Sequence, residues 1–436
     1  MGLGGSGDAA PDSGNTALGP EDFAAIDAVA APADAMLAAA AASATAAPGQ
    51  SVGRQPVHTV YVPADRVAAE PDGRLAMSWG AAARSAIDAH APNALALAGA
   101  TGLTPDVVEA VWARLLDKLA TEPIEDLRVD LEDGYGTRPD DIEDRDAIAS
   151  AQALVASAAA GVAPPYLGFR IKSMEPATRR RGLRSLDLAL GVLLRSGLPP
   201  GFMVTLPKVS AVAQVDAMAV ACGRLEERYG LGAGRLRFEV QVEVPAAVMG
   251  PDGTATVARI VHAGVGRVCG LHFGTYDYSA ALGVAGPYQS LEHPAADHAK
   301  AVMQVAAAGL GIATSDGSTN VLPVGDRPSI HAAWRLHARL VRRSLERGFY
   351  QGWDLHPAQL PTRFLATYAF FRAGLEPALQ RLQAYVEGVG GGTLDEPATA
   401  RALAGFVLRG LHCGAVAETE LGIDPARLRA LAVAKS

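Results

Sequence analysis

The 436-residue chain has few cysteines, little positive charge and no long uncharged apolar run. Its three scattered cysteines exclude a disulfide framework and a cysteine-based zinc site, and they fit a reducing compartment. With 38 Lys and Arg against 46 Asp and Glu, the net charge of −8 argues against a nucleic-acid-binding protein. The Ala-rich stretch 23–47 is interrupted by acids and a proline, so neither a membrane span nor a secretion signal is predicted. We therefore expect a cytoplasmic protein with neither nucleic-acid nor membrane partners.

The chain does contain a regular alternation of short apolar runs and longer helical patterns. Eight strands, each followed by a helix, predict a parallel sheet, and this number matches an α/β fold of the closed (β/α)8 TIM-barrel type. A doubly wound open sheet is the alternative, weakened because no Gly-x-Gly-x-x-Gly follows the first strand. The predicted strands are His58–Val62, Leu127–Leu131, Tyr166–Ile171, Phe202–Leu206, Leu236–Val242, Arg267–Phe273, Gly311–Thr314 and Gly352–Leu355.

Segments of different composition flank this alternation. Residues 1–55 are predicted to be a disordered and Ala-rich helical extension, and residues 56–370 to be the barrel. Residues 371–436 are predicted to form a C-terminal helical tail that acts as a subdomain or lid. A Gly-rich break at Gly388–Gly392 interrupts this tail and could serve as a hinge.

Two acids end consecutive predicted strands. Glu243 closes the run Arg237–Glu243, and Asp277 follows the next run. A carboxylate at a strand end is costly to bury unless it meets a cation or a hydrogen-bond donor. Oxygen ligands on a rigid frame are what Mg²⁺ requires, with Mn²⁺ as an alternative. A metal-dependent active site is therefore the leading hypothesis.

Polar residues also end all of the remaining predicted strands, at the edge where barrels place their active sites. A solvated loop end would explain any one of them but explains all eight poorly. Beyond Glu243 and Asp277, the side chains considered further are Asp65, Arg66, Glu132, Asp133, Arg170, Lys208 and His356.

The order of these motifs resembles the citrate lyase β-subunit-like family, which is grouped with the HpcH/HpaI aldolases. Malyl-CoA and citramalyl-CoA lyases are relatives, and malate synthases are more distant ones. The similar segments lie within residues 56–365 and are Val60-Tyr-Val-Pro-Ala-Asp-Arg66, Asp130-Leu-Glu-Asp-Gly134, Arg170, Leu206-Pro-Lys-Val209, Val242-Glu-Val-Pro-Ala246, Gly274-x-x-Asp277 and His356-Pro-Ala-Gln359. The resemblance implies a TIM barrel, a Mg²⁺ ion, and the cleavage or formation of a carbon–carbon bond beside a carbonyl. The substrate would be a 2-oxo or 3-hydroxy acid, either free or as a CoA thioester.

The resemblance also implies roles for individual residues. Glu243 and Asp277 match the two metal-ligating acids of the family, against the alternative of ordinary strand-end acids. Arg170 matches the arginine that holds the oxo acid or enolate oxygen, and its planar guanidinium suits a carboxylate. Glu132 and Asp133 would hold metal-bound waters or orient Arg170.

Other roles stay open. Asp65 and Arg66 stand where the aldolase branch has its basic histidine, and they could position substrate or a phosphate-bearing group. Lys208 is either structural or part of the site. His272 could reach the site as a base, or it could be a satisfied core histidine.

Three functions remain at this point. A Mg²⁺-dependent lyase or aldolase is favoured, a malate-synthase-like condensing enzyme is the second, and a non-catalytic member that binds metal or carboxylate is the third. A homo-oligomer, trimer or hexamer, is expected because the tail is apolar and an enolate site needs a cover. The small-molecule partner would be an oxo or hydroxy acid or an acyl-CoA.

Overall fold

The structure is a computed structural model, and it describes residues 53–387 and 396–433, together with the helical residues Ala24, Ala28 and Ala31. Contacts divide the chain into two units, Met1–Pro48 and Gly49–Ser436. Most of the predicted extension 1–55 and the Gly388–Gly392 break lie outside the described residues, and the predictions made for them stay predictions.

Eight parallel strands form a nearly closed barrel, which confirms the predicted fold and excludes the open sheet. Neighbouring strands follow the order β7-β6-β5-β4-β3-β2-β1-β8, and one parallel bridge between Ser315 and Gln351 joins the last pair, β7 and β8. The strands are β1 His58–Pro63, β2 Asp126–Asp130, β3 Tyr166–Arg170, β4 Phe202–Leu206, β5 Phe238–Val242, β6 Val268–Phe273, β7 Ala313–Ser315 and β8 Gly352–Asp354.

Helices surround the barrel, and those predicted between the strands are present. Arg327–Glu346 illustrates why they form: its buried residues recur at helical spacing, and Asp326 caps its first turn by accepting the Ser329 N–H at 3.0 Å. The helices are Ala64–Ala68, Leu75–His90, Ala94–Thr101, Pro105–Thr121, Asp140–Ala159, Arg179–Leu193, Val212–Tyr229, Pro245–Val248, Thr256–His262, Thr275–Ala281, Pro294–Ala307, Arg327–Glu346, Leu360–Glu387, Pro397–His412 and Pro425–Val433.

The described part of the tail packs on helices of its own chain. Leu408, Leu421 and Leu428 are buried in an apolar core that also holds Val111 and Leu115 of the helix Pro105–Thr121. This second core is separate from the one that surrounds most of the barrel. The apolar face of the tail therefore has a partner within the chain, whereas we had expected it to leave through a hinge.

The second core lies toward the amino-terminal ends of the strands. Lys118 of the helix Pro105–Thr121 binds Glu125, the residue before β2, at 2.6 Å. Phe364 of the helix Leu360–Glu387 has its ring centroid 5.3 Å from that of His58, the first residue of β1. The part of the tail that is buried in this core therefore lies near that end of the barrel, and its role as a subdomain or lid stays a prediction.

Within residues 53–387 and 396–433, no single helix has both the length and the apolar character needed to cross a membrane. Two consecutive helices, Ala94–Thr101 and Pro105–Thr121, meet at a bend of 117°. They satisfy the length and hydropathy criteria only when both helices are counted as one segment.

Candidate active site

A buried charged network fills the middle of the barrel below the mouth. Alternate residues of a strand point to one face, and those facing inward include Asp126, Arg128 and Glu239. Arg128 donates to Glu239 at 2.9 Å and also bonds to Asp126. These groups satisfy one another, so the network belongs to the barrel core rather than to its open end.

His272 is part of this network. Trp353 Nε1–H donates to its Nδ1 at 3.0 Å, and its Nε2 lies 3.1 Å from Glu239 Oε2. Because an indole N–H can only donate, Nδ1 accepts and Nε2 carries the proton given to Glu239. Neither ring nitrogen is left to take a proton from a substrate. This arrangement matches the core alternative, and catalysis by His272 stays an untested prediction.

Arg170 ends β3 and is held by Asp130, which ends the neighbouring β2. Its Nε and Nη2 donate to the two oxygens of Asp130 at 2.7 and 2.6 Å. Tyr61 supports the guanidinium from one face, with the ring centroid 4.7 Å from Cζ. The other edge stays available, since among the residues that the structure describes Nη1 meets only Glu132 Oε2, at 3.5 Å. Arg170 therefore presents a fixed, charged edge toward the mouth.

Lys208 lies at the centre of the acidic cluster. Its Nζ is 2.9 Å from both Asp133 Oδ2 and Asp277 Oδ2, and 3.3 Å from Glu132 Oε1. Its backbone has φ of 53°, in the left-handed region, and its N–H donates to Glu243 Oε1 at 2.6 Å. Acids from β2, β5 and β6 thus meet one lysine that follows β4.

Glu243 is 3% exposed, and the backbone approaches it closely. A Cβ on Gly274 would lie 2.4 Å from Glu243 Cβ, so this position directly after β6 needs glycine. Burial raises the pKa of Glu243 to about 7, although the charges of Arg170 and Lys208 oppose the change. Burial likewise raises the pKa of Glu132 to about 7. The two cations of the cluster therefore do not fully offset the buried negative charge.

The residues at the mouth fit a hard divalent cation in their chemistry. Asp130, Glu132, Asp133, Glu243 and Asp277 outnumber the two cations, and burial, which raises the pKa of Glu132 and Glu243, disfavours the charged form of both carboxyls. Mg²⁺ commonly takes only one or two protein carboxylates and keeps several waters. In the described parts of the chain, no three His, Cys, Asp or Glu side chains surround a common point suited to a metal. The acids surround the Lys208 ammonium instead, so a metal would have to share Asp277 with it.

Asp65 and Arg66 lie in the short helix Ala64–Ala68, directly after β1. Asp65 Oδ2 is 3.3 Å from Arg138 Nη2 in the loop after β2, and its side chain is 41% exposed. Arg66 is exposed. Neither is among the partners of Lys208 or Arg170 described above, so the two residues belong to the rim and not to the acidic cluster.

Two supporting residues were not assigned from the sequence. The pairing of Asp130 with Arg170 depends on the register of β2 and β3, in which the two residues are partners. Tyr61 carries no sequence signal beyond its place in β1. His356 caps a turn, accepting the Ala358 N–H at 3.2 Å.

Solved structures of similar fold include a citrate lyase from Burkholderia xenovorans, with a TM-score of 0.52 and 20% identity over 71% of this chain and 90% of that one. CitE from Mycobacterium tuberculosis, in complex with magnesium, acetoacetate and coenzyme A, has a TM-score of 0.47 and 18% sequence identity. The match covers 84% of this chain and 100% of the CitE chain. Haloferax volcanii malate synthase, as a magnesium/glyoxylate complex, has a TM-score of 0.46 and 15% sequence identity. The match covers 80% of this chain and 88% of the malate synthase chain.

At this level of identity the likeness concerns the fold, and in that respect it agrees with the family resemblance carried by the strand-end motifs. No curated protein matches the sequence. A domain family described as a domain of unknown function, DUF6986, matches residues 36–436. The chain belongs to the DUF6986 family.

Proposed function

We propose that this protein is a Mg²⁺-dependent carbon–carbon lyase or aldolase that acts on a 2-oxo or 3-hydroxy acid, free or as a CoA thioester. The observation that carries the proposal is the meeting of Arg170, Glu243 and Asp277 at the carboxyl-terminal mouth of one barrel. The resemblance to citrate lyase β-subunit-like proteins supports it, as do the magnesium and coenzyme A bound by CitE and the magnesium bound by malate synthase.

Arg170 would bind the acid. With Nε and Nη2 held by Asp130, the Nη1 edge faces the mouth and can donate to a carboxylate or enolate oxygen. The group is fixed before substrate arrives, and such preorganised donors stabilise charge that develops in a transition state. Mg²⁺ held by Glu243 and Asp277 would supply a second positive charge beside the carbonyl oxygen.

Glu132 is the candidate proton carrier at the mouth. Its oxygens lie 3.5 Å from Arg170 Nη1 and 3.3 Å from Lys208 Nζ, and burial raises its pKa to about 7. A group that titrates near neutral pH can both take and return a proton. In cleavage it would take the hydroxyl proton as the carbon–carbon bond breaks, and then return it to the enolate carbon. Asp133, also bound to Lys208, would hold this lysine in place.

Asp65 and Arg66 would contact the distal part of the substrate. Arg66 and the nearby Arg138 place positive charge on the rim, where a phosphate-bearing group such as that of a CoA thioester could bind. A condensing reaction would use the same enolate site in the opposite direction. Turnover assays with free oxo acids and with their CoA thioesters would separate these substrates. The homo-oligomer stays a prediction that light scattering tests.

One observation favours a second function. The Lys208 ammonium lies within 3.3 Å of three carboxylates and balances part of their charge. A non-catalytic protein that binds a carboxylate at Arg170 would need no more than this. It would bind oxo acids equally well with and without Mg²⁺.

Calorimetric titration of Mg²⁺ tests the proposal. Glu243→Gln and Asp277→Asn each remove one ligand charge, and we expect them to weaken Mg²⁺ binding by about tenfold or more. Asp65→Asn is the matched control, because it removes the same charge from the rim, and its affinity should equal that of the wild type. Unchanged Mg²⁺ affinity in both Glu243→Gln and Asp277→Asn would rule out the metal site.

A further inference from the structure

Lys172 binds the loop that carries Glu132 and Asp133. It follows the end of β3 by two residues, and its side chain is 12% exposed. Its Nζ donates to the backbone oxygens of Leu131 at 2.7 Å and Gly136 at 3.2 Å. The Gly136 N–H donates to Glu132 O at 2.7 Å, so the loop is a closed turn. The ammonium therefore ties together both ends of a short loop at the mouth of the barrel.

A buried acid holds Lys172 in this position. Glu143, in the helix Asp140–Ala159, is 0% exposed, and its Oε2 lies 3.2 Å from Lys172 Nζ. Its Oε1 accepts the Ser185 hydroxyl at 2.7 Å and lies 3.2 Å from Arg181 Nε. An ammonium has three hydrogens, and the two loop carbonyls and Glu143 offer three acceptors. The ammonium is therefore held by the loop and, through Glu143, by two helices.

The same loop is also held by Asp130. Its Oδ1 accepts the N–H of Glu132 at 2.9 Å, and its Oδ2 accepts the N–H of Gly134 at 2.8 Å. The two oxygens are those that bind Arg170. Asp130 thus binds N–H groups of the loop, whereas Lys172 binds its carbonyls, and the two sets of contacts together fix the backbone of the loop.

The contacts of Lys172 matter because of what the loop carries. A buried ion pair is weak evidence for a stabilising role, since burying two charges costs about as much as their attraction returns. The Glu132 carboxylate, on the loop, lies 3.5 Å from Arg170 Nη1 and 3.3 Å from Lys208 Nζ. A misplacement of about 1 Å in such a group can cost about 10²-fold in rate. Control of the loop is therefore control of the site.

We propose that Lys172 is a positioning residue of the candidate site: its ammonium fixes the loop 131–136 and thereby keeps the Glu132 carboxylate beside Arg170. Lys172 acts through this loop and not on the substrate, because its ammonium is already bound by the loop and by Glu143. The inference rests on the proposed function, in which Glu132 carries the proton. Lys172 should accordingly govern the rate of the reaction, and not the binding of Mg²⁺ or of the acid.

Amide deuterium exchange tests the positioning without any reaction. Lys172→Met removes the ammonium and keeps most of the length of the side chain. We expect the amides of Glu132, Gly134 and Gly136 to exchange at least about tenfold faster in this variant, because the loop opens more often once its carbonyls lose their donor. The amide of Phe169 in β3 should exchange at the wild-type rate. Lys172→Arg keeps the charge and the N–H donors, so its loop should exchange at a rate close to that of the wild type.

Lys300→Met is the matched control. Lys300 is also a buried lysine, 1% exposed, and its Nζ donates to Leu291 O at 2.7 Å and to Asp316 Oδ2 at 3.0 Å. It therefore loses the same kinds of bonds, but neither partner belongs to the loop 131–136. With exchange measured at an equal interval below the Tm of each variant, Lys300→Met should leave the exchange of this loop unchanged.

Steady-state kinetics tests the consequence for the reaction. Lys172→Met should lower kcat on the order of 10-fold to 10²-fold. The KM for the acid and the calorimetric affinity for Mg²⁺ should both stay within about twofold of the wild type. Lys172→Arg should restore most of kcat. A residue that only supports the fold would lower the Tm without this separation of kcat from KM.

The outcomes separate the two proposals. Unchanged exchange of the loop in Lys172→Met would overturn the positioning role, and so would faster exchange with an unchanged kcat. A wild type that turns over no oxo acid or CoA thioester would overturn the proposed function instead, and the exchange rates would still decide whether Lys172 fixes the loop. Should Lys172→Met fail to fold, the double variant with Glu143→Gln leaves this ion pair without an unpaired charge, and it should show the same faster exchange.

Discussion

Lys208 sets the charge balance of the candidate site. It contacts acids that follow β2 and β6 through its ammonium group, and the buried Glu243 of β5 through its backbone. Its left-handed φ of 53° costs energy for a residue with a side chain, and such strain is tolerated where surrounding contacts fix it. The ammonium and a bound metal would compete for Asp277.

We expect Lys208→Met to raise the affinity for Mg²⁺, by about three- to tenfold, because it removes a cation from the carboxylates that would bind the metal. The same variant should lose turnover, since Asp133 and Glu132 lose the group that positions them. Arg180→Met, which removes one exposed charge elsewhere, is the control for Mg²⁺ titration. A weaker affinity in Lys208→Met would mean that the lysine supports the metal instead of competing with it.

Arg170→Lys should lose most of the turnover although it keeps the charge. A lysine ammonium cannot bond to Asp130 through two nitrogens while presenting a further edge to the substrate. The loss of one such contact typically costs on the order of 10²-fold in kcat or more. Measured kcat/KM on the best substrate checks this, and a value close to that of the wild type would make Arg170 a scaffold residue.

The sequence identifies which residues form the candidate site but not which of these residues bind one another. Glu243, Asp277 and Arg170 could be chosen because strand ends are visible as the ends of apolar runs. The bidentate pair of Arg170 with Asp130 could not, because it depends on which residues of β2 and β3 stand side by side. The role of Lys208 stayed open for the same reason, since its three acidic contacts come from different strands.

Among the secondary-structure elements, β8 depends on a buried ion pair for its place in the barrel. Asp354 ends this strand and is 0% exposed. Arg363 donates to both carboxylate oxygens of Asp354. His58 of β1 donates to the same carboxylate from Nδ1 at 2.8 Å. His58 Nε2 in turn accepts the N–H of Glu125 at 3.1 Å, which fixes the tautomer. The pair joins β8, β1 and the helix Leu360–Glu387.

Asp354→Asn should lower the free energy of unfolding by about 3–5 kcal/mol, because it leaves the buried Arg363 without its counter-charge. Denaturant titration measures this. Glu292→Gln is the matched control: Glu292 also binds an arginine, Arg339, through two oxygens, but this pair is exposed, so the loss should be about 1 kcal/mol or less.

The effect of Asp354→Asn should depend on pH. Burial alone would raise the pKa of Asp354, but the charge of Arg363 and the hydrogen bonds from the histidines hold it well below 3.8. A carboxyl with a depressed pKa stabilises the fold above its unfolded-state value and loses this contribution as the pH falls through the folded-state value. The difference between wild type and Asp354→Asn should therefore be constant from about pH 5 upward and shrink below pH 3.8. A difference that grows in acid would contradict the assignment.

Strands were predicted more fully than helices for a physical reason. The barrel strands are buried on both faces, so most of them appear in the sequence as short runs rich in apolar residues. The charged residues of β2 and β5 interrupt their runs because they pair with one another inside the barrel. The largest differences fall at strand starts, as at β7, which begins at Ala313 and not at Gly311. The helices Leu75–His90 and Ala94–Thr101, between β1 and β2, are additional to the one helix expected between successive strands.

The described residues form two large apolar cores, one around the barrel and one beneath its amino-terminal end, and a small third cluster around Val341 and Leu345. The three cysteines are distributed over these regions: Cys222 lies in the barrel core, Cys269 in β6, and Cys413 in the tail. All three are buried. They are therefore internal reporters of the integrity of each part.

At pH 8 the native protein should resist alkylation by iodoacetamide at all three cysteines. Burial raises the pKa of each thiol to about 12, so that only about one molecule in 10⁴ carries the reactive thiolate at a given cysteine. All three should react in denaturant. Mass spectrometry of the alkylated peptides would measure this, and rapid native labelling of Cys413 alone would show that the tail opens independently of the barrel.

The joint between β7 and β8 has a consequence for the motions of the barrel. Both strands have three residues, and their pairing consists of one bridge, flanked by the bonds from Asp316 N–H to Gln351 O at 2.9 Å and from Trp353 N–H to Gly317 O at 3.3 Å. β2 and β3, by contrast, are paired over five residues each. Local opening is least costly where few contacts hold. Amide deuterium exchange should therefore be faster at Asp316 and Trp353 than at Val129 or Phe169, and the barrel would widen along this one line while the strands that carry Arg170 and Glu243 stay closed.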